Sequence, residues 1–518
     1  MGFSISLLWK QPEVNPLNHK ARSIPALNPI NKYGRVFFFS WFGFLLAFWS
    51  WYAFPPLLHD IIAKDIGLTA IQVSNSNIIA LVATLVVRLV AGPSCDRFGP
   101  RKTFAGCLLI GAIPTFLSGT AYNVHQLYAL RFFIGILGGS FVPCQVWTTG
   151  FYDKNIVGTA NSLTAGLGNA GGGITYFVMP AVYGSLVKDG LTPHTAWRVA
   201  FIVPGILIVA VALALLFCCQ DTPTGKWSER QGAAAETIDQ QTASKNGVIV
   251  DLPVGNSHHA SGTSTPQNGL VLDEKDSKHH ATSDFKDPES QNGSHQAVDI
   301  AKLEIIQKPS LSGIARIAIS PQTIAVGACY FCTFGAELSI NSILGTYYGI
   351  QFKSQKLSLQ QSSNWAAMFG LMNAICRPLG GVVSDYAYKA SGQNVWSKKA
   401  LMHTYSIIAG AFLLAIGLTN PTHLATLVCL VGVGFAFFLE GANGLIFSVV
   451  PHVHPYANGV VSGFTGACGN LGGIIFAIIF RYEVKNYAKS IWIIGAIMIA
   501  INLSVCWIKP VAKPKSGM

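Results

Sequence analysis

Long apolar stretches separated by short polar breaks run from residue 36 to 220, and the pattern resumes from 321 to 509. About 20 apolar residues in a helix cross the roughly 30 Å hydrocarbon layer. On that basis the first part of the chain predicts spans over 36–59, 72–94, 104–122, 126–149, 156–184 and 197–219. The second predicts spans over 321–350, 360–384, 400–419, 422–448, 457–481 and 489–508. Six plus six describes an all-α membrane protein of two six-helix halves, 36–220 and 321–509. Residues 1–35 form a polar tail without the apolar core of a signal peptide, and 510–518 a second tail. Residues 221–320 are rich in Ser, Thr, Asn, Gln, Gly, Asp and Lys without apolar periodicity, and read as a disordered cytoplasmic linker.

Charge sharpens this division. Only 11% of the 518 residues are Asp, Glu, Lys or Arg, against about 25% in soluble domains, which excludes an ordinary soluble enzyme. The linker holds 13 acids and 9 bases, so 26 bases and 10 acids remain for the other 418 residues. That basic excess lies on loops between apolar stretches, where the positive-inside rule explains it better than nucleic acid does. With the N-terminus inside, the inner loops and tails carry 15 Lys/Arg without counting the linker, and the outer loops carry eight. Both termini are therefore expected in the cytoplasm. Most of the 11 cysteines lie in apolar stretches, and Cys329-x-x-Cys332 has no redox-fold context. No metal or other cofactor is expected. In the linker, the paired histidines at 258–259 and 279–280 read as solvated polar runs, and Asn292-Gly293-Ser294 would not meet the glycosylation machinery. Its many Ser and Thr make kinases plausible partners.

The two halves repeat one another. Arg88-Leu-Val-Ala-Gly92-Pro-Ser-Cys-Asp96 and Arg377-Pro-Leu-Gly-Gly381-Val-Val-Ser-Asp385 both read R-x-x-[AG]-G-x-x-x-D. Thr164-Ala-Gly-Leu-Gly168-Asn169-Ala-Gly171-Gly172 and Thr465-Gly-Ala-Cys-Gly469-Asn470-Leu-Gly472-Gly473 both read T-x-x-x-G-N-x-G-G. Repeated halves imply alternating access, with a site near the midplane between them. The segment Gly166-Leu-Gly168-Asn-Ala-Gly171 also matches G-x-G-x-x-G, but its helical flanks exclude a dinucleotide fold. Its glycines instead make small-residue faces for close helix packing.

Arg88 lies eight residues before Asp96, and Arg377 eight before Asp385. About 12 Å of helix puts each arginine near the bilayer centre, where a cation marks an ion path. Only Glu337 and Glu440 fall well inside spans as counter-charges. Two related arginines then suggest an anion held between guanidinium forks, which match planar oxyanions bidentately. Arg131, at an outer helix end, is expected to snorkel or to pair structurally. Asn169 and Asn470 offer amides either for interhelical bonds or for the substrate path.

Gly92-Pro-Ser-Cys-Asp96-Arg97-Phe-Gly99-Pro-Arg101-Lys102 resembles the G-x-x-x-D-R-x-G-x-R-K turn of the major facilitator superfamily. Here it reads as a gating turn with Asp96 near cations. Arginines on helices two and eight, with the glycine-asparagine motifs on five and eleven, resemble the nitrate/nitrite porter family, and the long linker resembles that of fungal-type members. The resemblance implies that Arg88 and Arg377 bind nitrate, with Asn169 and Asn470 in the signature segments. It also implies an aromatic layer, matched by Tyr330 in Cys329-Tyr-Phe-Cys-Thr-Phe-Gly335 and Phe141 in Gly138-Gly-Ser-Phe141. The expected activity is not enzymatic. It is import of nitrate, with nitrite as a further candidate substrate, across the plasma membrane by proton symport. Glu337 and Glu440 are candidate proton carriers or neutralisers of the arginines. A nitrate/nitrite exchanger, a carrier of another small anion or organic acid, and a membrane sensor signalling through the linker are the alternatives.

Overall fold

The computed structural model describes residues 5–16, 18–230, 310–352, 357, 359–483 and 486–511. Among them are twelve helices long and apolar enough to cross a membrane. The first half comprises α1 (Lys32–Leu57), α2 (Ala70–Phe98), α3 (Pro100–Thr120), α4 (Val124–Phe151), α5 (Val157–Lys188) and α6 (Pro193–Cys218). The second comprises α7 (Pro321–Gln351), α8 (Gln361–Ala390), α9 (Val395–Thr419), α10 (Leu424–Val453), α11 (Pro455–Tyr482) and α12 (Tyr487–Val505). Every expected span is present. Several run longer than the apolar pattern because polar turns such as Asp96-Arg97 and Lys398-Lys399 continue as helix.

Local chemistry sets the ends. The Asn31 side chain accepts from the Tyr33 N–H at the start of α1, and Thr69 with Gln72 forms a capping box on α2. Between α2 and α3 the chain turns at Gly99, whose φ of 95° is open to glycine at little cost. Pro100 then starts α3 with its φ already helical.

The packing follows the repeat. Helix α5 packs on α1 of its own half and α8 of the other, while α11 packs on α7 of its own half and α2 of the other. Glycines permit these approaches: a Cβ on Gly168 would strike the Phe44 ring, and one on Gly472 the Phe331 carbonyl. Gly171 and Gly172 likewise abut α1, and Gly469 and Gly473 abut α7. Helices α3, α6, α9 and α12 lie outside, turning Ile113, Ile206, Leu418 and Leu503 outward. Such apolar faces suit hydrocarbon.

The linker's expected disorder needs correction at its two ends, and the tail is held to the helices. The tail is docked from well before residue 35. Ala21 N–H donates to Phe151 O at 2.9 Å, Asp153 N–H donates to Ala21 O at 2.9 Å, and Tyr33 Oη donates to His19 O at 2.6 Å. The linker is ordered at both ends. Asp221 pairs with Arg101 at 2.7 Å, Trp227 packs against Gly99, and Leu311–Ala318 is helical. The anchors of 221–230 are isolated contacts that leave no periodicity, whereas Leu311, Ile314 and Ile317 recur at helical spacing at the second end. The remaining linker, with its paired histidines and Asn292, and the end of the second tail lie outside the described residues.

At the end opposite the termini, Asp65 joins α1–α2 to α6. Arg198 Nη1, Trp197 Nε1 and His194 Nδ1 meet its carboxylate at 2.7, 3.0 and 2.9 Å. Burial alone would raise this carboxyl, but hydrogen bonds from Arg198, His194 and Trp197 outweigh it and bring it from 3.8 to about 2.

Candidate functional site

Arg88 on α2 and Arg377 on α8 are buried at the interface of the halves, 0% and 1% exposed. Each packs against a glycine of the opposite half. A Cβ on Gly466 of α11 would lie 3.1 Å from Arg88 Cδ, and one on Gly166 of α5 would lie 3.3 Å from Arg377 Cβ. The repeat thus brings both arginines to one place.

Their surroundings differ. Arg88 Nε donates to Gly138 O and Nη1 to Gly466 O, both at 3.0 Å. Gly138 belongs to a 3₁₀ stretch, Gly135–Ser140, that interrupts α4. The Arg88 guanidinium lies 4.9 Å from the Phe141 ring and 4.9 Å from the Phe334 ring, contacts worth about 2 kcal/mol each when desolvated. Arg377 lies 5.9 Å from the same Phe334 ring and donates from Nη2 to Glu337 Oε2 at 3.3 Å. Both cations therefore share the Phe334 ring. It stacks on Tyr330 at 4.8 Å, and Phe447 closes edge-on at 5.0 Å from Tyr330 and 4.7 Å from Phe141.

Glu337 pairs with Arg377, so the two arginines are not equally free of counter-charge. Glu337 also accepts from Asn373 Nδ2 at 2.9 Å and Asn443 Nδ2 at 2.8 Å. The same Asn443 nitrogen reaches Glu440 Oε2 at 3.4 Å and so bridges the two carboxylates.

Several buried atoms here lack a hydrogen-bond partner among the described residues: Arg88 Nη2, Arg377 Nε and Nη1, the Tyr330 hydroxyl, and both amide atoms of Asn169. The Tyr330 hydroxyl lies against both guanidinium groups without bonding geometry to either. Asn470 Nδ2 donates to Gly466 O at 3.0 Å, on the turn that receives Arg88. The unmatched guanidinium nitrogens of both arginines are donors, and burying unmatched donors is costly. A small oxyanion supplies acceptors of matching shape.

Arg131 departs from one of its two expected behaviours. It is buried, donates to Asn77 Oδ1 and lies 5.1 Å from the Phe54 ring. It is a structural partner and does not snorkel, because that helix end is covered by α1 and α2.

The Gly92–Lys102 turn holds more than the expected cation. One cation, Arg230, is near Asp96 and donates to its backbone carbonyl at 3.3 Å, but the carboxylate's hydrogen bonds go elsewhere. The carboxylate accepts from the N–H groups of Gly459 and Val460 at 3.0 and 3.1 Å, at the start of α11. Helix N-termini favour carboxylates, and this one is closer than any loop cation. Asp385 repeats the contact on α5, accepting from Thr159 N at 2.7 Å and Thr159 Oγ1 at 2.8 Å, and adds Lys398 at 2.9 Å. Gly92 and Gly381 allow the close approach. Arg97 and Lys102 are exposed, and Arg101 holds Asp221. The halves are thus joined at the end bearing the termini. At the other end Tyr52 Oη and Tyr176 Oη reach Leu338 O and Asn341 O of α7, at 3.4 and 3.1 Å. Beyond them a cavity of about 570 Å³ lies between the halves, lined by residues including Lys64, Tyr176, Thr346 and Ser362.

Phe334, Phe447, Asn373 and Asn443 were missed in the sequence. Three had a signal: Phe334 is four residues after Tyr330, Asn373 four before Arg377 and Asn443 three after Glu440, each on the same helix face.

Two repeated halves, closed on both sides of a buried cationic site, define a secondary transporter fold. The model of the Major Facilitator Superfamily matches residues 40–477, and the chain belongs to that superfamily. Elsinochrome transporter 1 of Elsinoe fawcettii is 42% identical over 98% of this chain and 99% of its own. High affinity nitrate transporter 2.5 of Arabidopsis thaliana is 29% identical over 95% of this chain and 82% of its own. Nitrate/nitrite transporter NrtP of Picosynechococcus is 25% identical over 85% and 84%. The expected resemblance to nitrate/nitrite porters is met by such relatives, and the chain is a transporter rather than an enzyme.

Proposed function

We propose that this chain imports nitrate, and also nitrite, by proton symport across the plasma membrane, with both termini in the cytoplasm. The observation that carries this reading is the pair of buried arginines from opposite halves, whose remaining donors converge with Tyr330 inside an aromatic enclosure. Arg88, Arg377, Tyr330 and Phe141 bind the anion, Asn169 and Asn470 line its path, and Glu337 and Glu440 carry protons. At an inside-negative potential a monoanion costs about 2.3 kcal/mol per 100 mV to import. Two or more protons per anion reverse that sign, so the potential then drives uptake. The central linker is a target for kinases and is not required for transport.

The test is uptake of labelled nitrate in cells lacking their own nitrate carriers, with nitrite, chlorate and phosphate as competitors. Competition by nitrite and chlorate, and not by phosphate, supports the reading. Nitrate/nitrite exchange would be electroneutral and would need nitrite inside. A second reading, transport of elsinochrome, is favoured by the 42% identity to a protein of that name. Elsinochrome efflux without nitrate uptake would establish it. The close approach of the rings to both guanidinium groups favours the smaller cargo.

A further inference from the structure

Beyond the assignment of two acids as proton carriers, the contacts around Arg377 are those of a competition. Arg377 spends one nitrogen on Glu337, leaving Nε and Nη1 for another acceptor. An anion bound across that fork sits beside the Glu337 carboxylate, so two negative charges would share one guanidinium. The second carboxylate, Glu440, is held beside Glu337 by Asn443, which bridges both. Like charges this close do not all persist in a buried site.

We infer that the anion and the Glu337 carboxylate compete for Arg377, and that Glu337 must take up a proton, shared with Glu440, before the anion binds tightly. In that step the carboxylate of Glu337 becomes a carboxylic acid, and the Arg377 N–H turns from its oxygen to an oxygen of the anion. Arg377 stays protonated, and release of anion and proton on the other side restores the ion pair. Asn373 and Asn443 are positioning residues that keep the acid in reach of Arg377 in both states. The charged and titratable groups facing Glu337 are Arg377 on α8, Glu440 on α10, Arg88 on α2, Tyr52 on α1 and Tyr330 on its own helix. Among these only the two acids combine contact with the site and an ordinary titration range below neutrality. The inference rests on the anion reading of the site and explains how binding there is tied to a proton.

The experiment uses the purified full chain in detergent, with nitrate, nitrite and chlorate as probes from about pH 5.5 to about pH 8, where perturbed carboxyls titrate. Wild-type affinity should weaken with rising pH, by up to about tenfold per pH unit where one proton is linked. Nitrate added to weakly buffered protein should take up protons. Glu337→Gln should bind at every pH as wild type does at low pH, without proton uptake. Glu440→Gln should keep the dependence with its midpoint moved to lower pH, since a like charge is gone. Wild-type binding without proton uptake, or an unchanged pH slope in folded Glu337→Gln, would overturn the inference alone. Failure of wild type to bind any of the three anions at any pH overturns the anion reading and this inference with it. The proton-uptake measurement needs no variant, so poor folding of Glu337→Gln leaves the test intact.

Discussion

Asp96 in one half accepts a hydrogen bond from the backbone N–H of Gly459 in the other, at 3.0 Å, and Asp385 makes the same crossing onto the start of α5. The turn that carries the proposed gating role thus ends in a carboxylate bonded to a helix N-terminus, a contact that would serve as its latch. A carboxylate in such a position contributes up to about 2 kcal/mol. Asp96→Asn keeps the shape and loses the charge. It should shift the population toward opening at the end bearing the termini by roughly tenfold. Spin labels at the exposed positions Arg97 and Lys389 would report it as a new, longer distance. An unchanged distribution counts against the latch.

The two arginines should respond differently to truncation. Arg88 donates to two carbonyls and lies between two rings, whereas Arg377 neutralises Glu337. Arg377→Ala leaves a buried carboxylate uncompensated, a loss of roughly 3–5 kcal/mol. It should therefore melt well below Arg88→Ala, and Arg377→Ala with Glu337→Gln should recover most of that loss without recovering uptake. Arg88→Lys and Arg377→Lys keep charge but not the fork, so both should raise KM. Equal melting temperatures for the two Ala variants would contradict the asymmetry.

The signature glycines are packing devices, so added methyl groups discriminate among them. Gly472→Ala would drive a Cβ into the Phe331 carbonyl, a backbone atom that cannot rotate aside. Gly106 on α3 has nothing within 4 Å of the added Cβ, and alanine there gains up to about 1 kcal/mol of helix propensity. Gly472→Ala should lower the yield of monodisperse protein and its melting temperature, while Gly106→Ala should match or exceed wild type. Fluorescence-detected gel filtration with heating would show it.

The Asp65 clasp predicts a pH signature on the side opposite the termini. Its carboxyl is depressed from 3.8 to about 2, so its contribution is fully present above about pH 4 and disappears as pH falls toward 2. Asp65→Asn should melt below wild type near neutrality, with the gap closing over that acidic window. A gap independent of pH would assign the loss to packing.

Much of this was legible in the sequence because a bilayer allows few solutions. The apolar runs located all twelve helices, and scarce charge singled out Arg88, Arg377, Arg131, Glu337 and Glu440 before any geometry. The repeat then said which two arginines are equivalent. It did not say that their neighbours differ, because Glu337 lies on α7, outside both repeated motifs, and meets Arg377 only through folding. The partner of Asp96 was hidden for a related reason: a backbone N–H on a distant helix has no sequence signature, whereas a nearby Arg97 does. The ordered start of the linker depends on scattered contacts, Asp221 with Arg101, Pro223 with Lys32 and Trp227 on Gly99. A deletion meant to spare transport should accordingly begin after Arg230, which donates to Asp96 O at 3.3 Å. Removing 235–305 should leave uptake near wild type, and removing 221–305 should impair it.

The central claim is that an anion enters between Arg88 and Arg377 together with protons. The most direct measurement is the current evoked by nitrate in a heterologous cell held at a negative potential, recorded with external pH for wild type, Arg88→Ala and Arg377→Ala. The account predicts an inward current of positive charge with external alkalinisation in wild type, growing as the bath is acidified, and none in either variant. Electroneutral nitrate movement in wild type, or wild-type currents in both variants, would contradict it.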